Sequence, residues 1–182
     1  KSTDGGTLFS AIYTGGSGNT VTYIEVSRER PEVQYAVVRT SGSCLLVKTE
    51  NEWTTSTVLS TPISSSKALI AVDPSNDDNI WIAFPYGSNG SKVYRSIDGG
   101  TNWINITSGE LDGHSIHSMA LIGGTDGGVY LGSNMTVFYK NNSMSNWAVD
   151  DSGLPVKINT DILKPFYRDG KIRMASYGKG LW

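Results

Sequence analysis

Apolar residues along this chain gather in short runs, and the stretches between them are polar and rich in turn formers. The clearest runs are Gln34-Tyr35-Ala36-Val37-Val38, Ile80-Trp81-Ile82-Ala83-Phe84, Val129-Tyr130-Leu131-Gly132 and Lys171-Ile172-Arg173-Met174-Ala175. Another begins after Ser115, with Ile116, Ser118-Met119 and Leu121-Ile122. Their β-branched and aromatic content and their brevity predict strands. Polar turns entered from a Val precede two of the runs, at Val26 to Pro31 and at Val72 to Asn79. Asp73-Pro74-Ser75-Asn76 is a turn by composition. No stretch sustains a 3.6-residue apolar period, and Gly or Pro interrupts most windows, so the chain reads as all-β.

A repeat underlies this pattern. Ser2-Thr3-Asp4-Gly5-Gly6-Thr7-Leu8-Phe9 and Ser96-Ile97-Asp98-Gly99-Gly100-Thr101-Asn102-Trp103 share the form Ser-x-Asp-Gly-Gly-Thr-x-aromatic. A worn copy follows at Lys140–Trp147, where Asn142 takes the place of the Asp and Trp147 keeps the aromatic. A shorter copy without glycines, Lys48–Trp53, ends on Trp53. The aromatics Phe9, Trp53, Trp103 and Trp147 are separated by 44, 50 and 44 residues. A unit of roughly 45 residues carrying several short strands is the signature of a β-propeller blade.

The motif explains itself as a turn. Paired glycines accept positive φ without steric cost. The Asp can accept backbone N–H bonds of its own turn, and the Ser can brace the loop from the other side. The aromatic can fold back on the hairpin. A structural role is therefore expected for Ser2, Asp4, Gly5, Gly6, Phe9, Trp53, Ser96, Asp98, Gly99, Gly100, Trp103, Asn142 and Trp147, with the three tryptophans buried at equivalent places. Thr125-Asp126-Gly127-Gly128 resembles the motif but lacks its Ser and its aromatic, and is expected to be a turn within a blade.

These segments resemble Asp-box (BNR) repeats, which occur in sialidases, sortilin-type receptors, xyloglucanase-like glycoside hydrolases and photosystem-assembly propellers. The resemblance implies a hairpin between the third and fourth strands of a blade, on the rim and away from the central pocket. It transfers no activity, since one fold hosts many functions. The stretch Arg173–Trp182 also resembles the close of Asp-box propellers in large secreted Bacteroidetes proteins, often exported by type IX secretion. That likeness implies a secreted or cell-surface bacterial protein.

In the repeat frame Leu181 and Trp182 match Val93 and Tyr94, and Lys1 matches Arg95. Residues 1–182 are thus read as one propeller domain or part of one. Its units are approximately 1–9, with the rest of that blade missing or supplied by 164–182, then 10–60, 61–110, 111–155 and an incomplete 156–182. Of a closed four-unit ring and an arc of a larger propeller, the arc is the expectation, because natural sheets avoid unprotected edges.

Composition narrows the function. The 182 residues carry a formal charge of −2 and only 18% charged residues, which gives no basic surface for nucleic acid. Ser, Thr and Gly make up about a third of the chain, as short strands and tight turns require. No apolar run approaches the ~20 residues of a membrane span. The chain starts at Lys1 rather than Met and is expected to be a processed product or an excerpt. Cys44 is alone and reads as a small buried hydrophobe.

Candidate chemistry is sparse. His114 and His117, the only histidines, fall on opposite strand faces, which does not suit a metal. Arg28, Arg30, Arg39, Arg95, Arg168 and Arg173 do not form a visible sialidase set. Asp77, Asp78, Asp112, Asp150, Asp151, Asp161 and Asp169 are loop candidates for the two carboxylates of a glycoside hydrolase. Gly15-Gly16-Ser17-Gly18 lacks the Lys and helix of a phosphate loop. Sequons at Asn89, Asn105, Asn134 and Asn141 carry weight only in a eukaryotic setting. The expected function is a non-catalytic binding or scaffold propeller without cofactor or metal. Its expected partners are a protein or carbohydrate and the other blades or domains of its own polypeptide. The alternative is part of a xyloglucanase-like hydrolase with a cleft between propellers.

Overall fold

The structure is a computed structural model describing residues 1–182. Its strands form four antiparallel sheets, each in chain order. Blade 1 is β1 (Thr20–Val26), β2 (Gln34–Arg39), β3 (Cys44–Thr49) and β4 (Thr57–Leu59). Blade 2 is β5 (Leu69–Asp73), β6 (Asn76–Ala83), β7 (Val93–Ser96) and β8 (Ile104–Asn105). Blade 3 is β9 (Ile116–Leu121), β10 (Val129–Ser133), β11 (Val137–Lys140) and β12 (Ala148–Val149). Blade 4 has three strands, β13 (Thr160–Phe166), β14 (Lys171–Ser176) and β15 (Gly180–Leu181). A single 3₁₀ turn, Gly109–Leu111, links blades 2 and 3. The molecule is an all-β propeller of four blades.

Why the middle strands read as unbroken apolar runs is plain from blade 2. Ala68, Ile70, Val72, Ile80, Ile82, Phe84 and Tyr94 join the core shared with blade 1. Leu69, Ala71, Trp81, Ala83 and Val93 join the core shared with blade 3. Successive residues point to opposite faces, and a sheet covered on both faces must be apolar at every position. Each fully buried large aliphatic or aromatic side chain contributes about 1.5–3 kcal/mol. A smaller core of Ala120, Val137, Ile158, Leu163 and Met174 joins blades 3 and 4. The outer face of blade 1 holds Ala36, Val38, Val47 and Trp53, covered by Tyr13 of the N-terminal segment.

Strand pairing aligns the blades position by position. Tyr35, Trp81, Tyr130 and Arg173 pair across the ladder with Glu25, Ala71, Ala120 and Lys164. Register shifts fall at matching points in three blades, leaving Thr22, His117 and Asp161 as the extra residues. The ends of the chain are engaged locally: Lys1 exchanges backbone bonds with Ser10, and Trp182 with Met174.

Candidate functional site

The inner strands β1, β5, β9 and β13 stand in order around the propeller axis and enclose a pocket of about 230 Å³. Glu25, Ala71, Ala120 and Lys164 occupy one equivalent position in the four blades, and all line it. The two alanines leave space between the two charged residues. Burial raises the Glu25 carboxyl above its ordinary range, and the positive charge of Lys164 pulls it the other way. Three residues further along each blade lie Arg28, Pro74, Gly123 and Tyr167. The Arg28 guanidinium sits 4.5 Å over the Tyr167 ring. The Tyr167 hydroxyl accepts the Gly123 N–H at 3.3 Å and donates to the Leu121 carbonyl at 3.4 Å. A Cβ at Gly123 would lie 3.1 Å from the Pro74 ring, a tight approach that the ring would have to yield to.

The pocket thus presents one carboxylate, one ammonium, one guanidinium and two tyrosines against an apolar wall of Val26, Val72, Met119 and Leu163. Such a set can pair with both charges of a polar ligand and cover an apolar part. Sequence reasoning missed Glu25, Lys164 and Tyr167 and placed Arg28 in a turn. Aligning the blades column by column would have flagged Glu25 and Lys164, two charges in a column otherwise filled by alanine.

The turn motifs lie away from this pocket. Ser96 Oγ donates to Asp98 Oδ1 (2.7 Å) and accepts the Gly100 N–H (2.9 Å). Asp98 accepts the Asn102 N–H at 2.9 Å and its side-chain amide at 2.7 Å. These bonds, with the backbone one first, hold Asp98 down at a pKa of about 2. Gly99 and Gly100 have φ of +68° and +94°. The Ser2–Phe9 hairpin repeats the pattern: Ser2 Oγ to Asp4 at 2.7 Å, Gly6 N–H to Ser2 Oγ at 2.8 Å, and Leu8 N–H to Asp4 at 3.0 Å. Gly5 and Gly6 have φ of +72° and +93°.

The other copies differ. Trp147 is 2% exposed, and Trp103 is half-buried at the matching place one blade earlier. Each indole N–H bonds a backbone carbonyl of the preceding blade or its exit: Trp103 to Ser60 (2.9 Å), Trp147 to Ile106 (2.8 Å). Asn142 does not act as the turn acceptor; its side-chain oxygen accepts from Arg95 and its amide donates to Asp126.

Trp53 corrects the expectation drawn from spacing. Thr49 Oγ1 accepts the Trp53 N–H (2.9 Å), and Asn51 Oδ1 accepts the Thr55 N–H (2.9 Å). Thr49, Asn51 and Trp53 therefore stand where Ser96, Asp98 and Gly100 do. Glu52 and Trp53 accordingly take the left-handed φ values (53° and 72°) that glycines take elsewhere. Trp53 is buried, but by stacking on Tyr13 at 4.7 Å and donating to Gln34 Oε1 at 2.6 Å within blade 1. The legible signal was Thr49-x-Asn51, a match to Ser-x-Asp.

The loop carboxylates are dispersed. Asp77 pairs with Arg30 (2.7 Å) and Asp169 with Arg173 (2.6 Å). Asp112 caps the Gly90 N–H, and Asp151 accepts the Thr136 hydroxyl. His117 Nδ1 lies 3.8 Å from Asp161, whereas His114 stacks edge-on against Phe138. Cys44 is buried. No helix is long and apolar enough to cross a membrane.

A second and larger cleft, about 420 Å³, opens between blades 3 and 4. Tyr130, Tyr139, Asp150, Ser152, Leu154 and Trp182 line it. Burial, and then the charge of Asp150, push the Tyr130 hydroxyl up to about 12.

The sequence matches no protein-family model and no curated protein. Solved structures do match. The GH74 xyloglucanase from Xanthomonas campestris aligns with a TM-score of 0.69 at 15% identity, over 86% of this chain and 26% of that one. The GH74 enzyme of Niastella koreensis aligns with a TM-score of 0.64 at 16% identity, over 86% and 26%. A structure of YCF48 bound to D1 peptide aligns with a TM-score of 0.61 at 13% identity, over 94% and 52%. The chain spans about a quarter of the length of the xyloglucanases and half that of YCF48. At these identities the shared property is the fold, a β-propeller.

Proposed function

We propose that this chain is a non-catalytic binding module whose axial pocket receives a segment of a protein partner. The observation that carries the reading is the chemistry of that pocket. It places a single carboxylate, Glu25, near Lys164 and Arg28 on an apolar wall. Opposed charges set across a small apolar space suit a peptide side chain flanked by backbone polar groups. Glycoside hydrolysis calls for two carboxylates facing each other across the bond. That YCF48 has been seen with a peptide makes a protein partner consistent with the fold. We further propose that the turn motifs are Asp boxes, that the blades form an arc of a larger propeller, and that the protein works outside a bacterial cell, as its resemblances imply.

A screen of this chain against an immobilised peptide library tests the reading, with Lys164→Ala and Arg28→Ala as probes. Selective binding that both variants weaken supports it. Binding indifferent to both would move the site elsewhere. Release of reducing ends from xyloglucan, abolished by Glu25→Gln, would favour the hydrolase instead.

A further inference from the structure

Two loops in the middle of the chain meet at the end of blade 2 opposite Pro74 and the axial pocket. One joins β6 to β7; the other carries the 3₁₀ turn Gly109–Leu111 and leads into blade 3. In the first, Ser88-Asn89-Gly90-Ser91 is a tight turn, closed by the Ser91 N–H on the Ser88 carbonyl at 3.0 Å, with Gly90 at φ +74°. Asn89 is the one asparagine of this chain that glycine follows. In the second, Asp112-Gly113 comes directly after the 3₁₀ turn.

The two dipeptides hold each other by a reciprocal pair of bonds. The Gly90 N–H donates to Asp112 Oδ1 at 3.1 Å, and the Gly113 N–H donates to Asn89 Oδ1 at 3.1 Å. All four residues are exposed, so water reaches them. The Asn89 side-chain nitrogen has no acceptor within the protein, which leaves it free to depart.

This is an arrangement for chemistry on the chain itself. The backbone nitrogen that follows an asparagine can close on its carboxamide carbon to give a five-membered succinimide. Glycine permits the closure, since no Cβ crowds the attacking nitrogen. The step needs a base for the N–H and a donor for the oxygen as it turns anionic. Asp112 Oδ1 is within reach of that proton. The Gly113 N–H already points at that oxygen.

We propose that Asn89 is a self-deamidation site, worked by Asp112 and Gly113 of the linker. Asp112 takes the Gly90 amide proton, and the Gly90 nitrogen bonds to Asn89 Cγ. The Gly113 N–H holds the negative charge on Asn89 Oδ1. As the C=O reforms, the bond from Cγ to Nδ2 breaks and ammonia leaves with the proton from Asp112. Water then opens the succinimide. Attack at Cγ gives aspartate, and attack at the backbone carbonyl gives isoaspartate. The balance is one amide and one water converted to a carboxylate and ammonia. Either product sets a second negative charge beside Asp112. Isoaspartate also adds a carbon to the backbone between residues 89 and 90. That displaces Gly90 from Asp112 and from the Asn105 side-chain amide, which donates to the Gly90 carbonyl at 2.8 Å. The reaction therefore releases the β6–β7 loop from the linker irreversibly, as the molecule ages.

Peptide mapping by mass spectrometry tests the proposal on the folded chain held at neutral pH, beside a synthetic peptide spanning residues 84–95. The expected result is amide-to-acid conversion at Asn89 that runs faster in the folded chain than in the peptide, with isoaspartate among the products. Asp112→Asn should slow conversion in the folded chain about tenfold or more, and Asp112→Glu, which keeps a carboxylate, should recover part of the rate. Circular dichroism checks that the variants fold; if they do not, the folded chain against the peptide decides. No conversion in the folded chain, a rate no higher than the peptide's, or a rate that a folded Asp112→Asn leaves unchanged would overturn the proposal.

Discussion

The hairpins Ser2–Phe9 and Ser96–Trp103 invite comparison, because local sequence makes them nearly the same object while tertiary structure treats them differently. Both fold their Ser, Asp and glycines into one hydrogen-bond pattern, and both turn the aromatic back onto the second glycine. In blade 2 that turn is wedged into a seam: Ser96 is fully buried, and a Cβ on Gly100 would lie 2.9 Å from Leu59 and 3.2 Å from Ile80. In the N-terminal hairpin a Cβ on Gly6 would meet only Phe9, at 3.9 Å. The motif therefore specifies a turn, and burial of the turn is a separate matter settled by whether a neighbouring blade receives it.

The largest expected effect separates the seated aromatics from the unseated one. Trp147→Ala should destabilise by about 3–5 kcal/mol. Phe9→Ala should stay within about 0.5 kcal/mol in dilute solution. Denaturant titration of both variants measures the gap, and equal losses would erase the distinction.

A smaller effect sharpens it. Gly6→Ala should cost about 1 kcal/mol, the penalty of positive φ alone. Gly100→Ala adds a steric term of about 1–3 kcal/mol, since Leu59 and Ile80 belong to the blade interface. Thermal melts of the pair should rank them in that order.

Smaller again is the effect of Glu52→Gly. Glu52 is exposed and left-handed at φ 53°, where Gly99 stands in blade 2. Removing the Cβ should stabilise by up to about 1 kcal/mol, measured by denaturant midpoint; a loss would mean the Lys1–Glu52 pair outweighs the strain.

The last effect should have the same sign in both hairpins, and be larger at Asp98, which also accepts the Asn102 side-chain amide. Asp98 and Asp4 are both held below the ordinary carboxylate value by bonds made within the turn, led by the backbone N–H of Asn102 and of Leu8. A depressed pKa gives stabilisation that is complete above the unfolded value and is lost as pH falls towards the folded one. Asp98→Asn should flatten the acid limb of the stability curve between the ordinary carboxylate range and about pH 2, and Asp4→Asn should flatten it in the same direction. Glu25 runs the other way. Its raised pKa favours the folded protein at low pH and costs stability as pH rises, so Glu25→Gln should help near neutrality and be neutral in acid. Acid titrations followed by tryptophan fluorescence check both signs.

Much of the fold was legible because the signals are local. The run Ile80–Phe84 supplied the apolar half of β6, and Asp73-Pro74-Ser75-Asn76 became the turn between β5 and β6, but β6 starts at Asn76, so Asn76–Asn79, expected to be part of a polar turn, is strand. Spacing misled at Trp53, where hydrogen bonding to Thr49 put the aromatic into a glycine's place. Counting residues between aromatics cannot see a turn that uses a different register of the same chemistry. The axial pocket was not legible in any single stretch, only in the column that aligns Glu25, Ala71, Ala120 and Lys164 across the blades. Glu25 and Lys164 lie far apart in sequence, in strands whose local patterns look ordinary.

The sequence alone determined the strand content, the four-unit repeat and the hairpins, since each depends on φ preferences, side-chain alternation and hydrogen bonds a few residues apart. Tertiary structure decided which charges meet at the axis, which aromatics are seated in a seam and which turn is left in solvent. Those outcomes depend on how the blades lie against one another. Packing between surfaces distant in sequence sets that arrangement, and no short window of the chain encodes it.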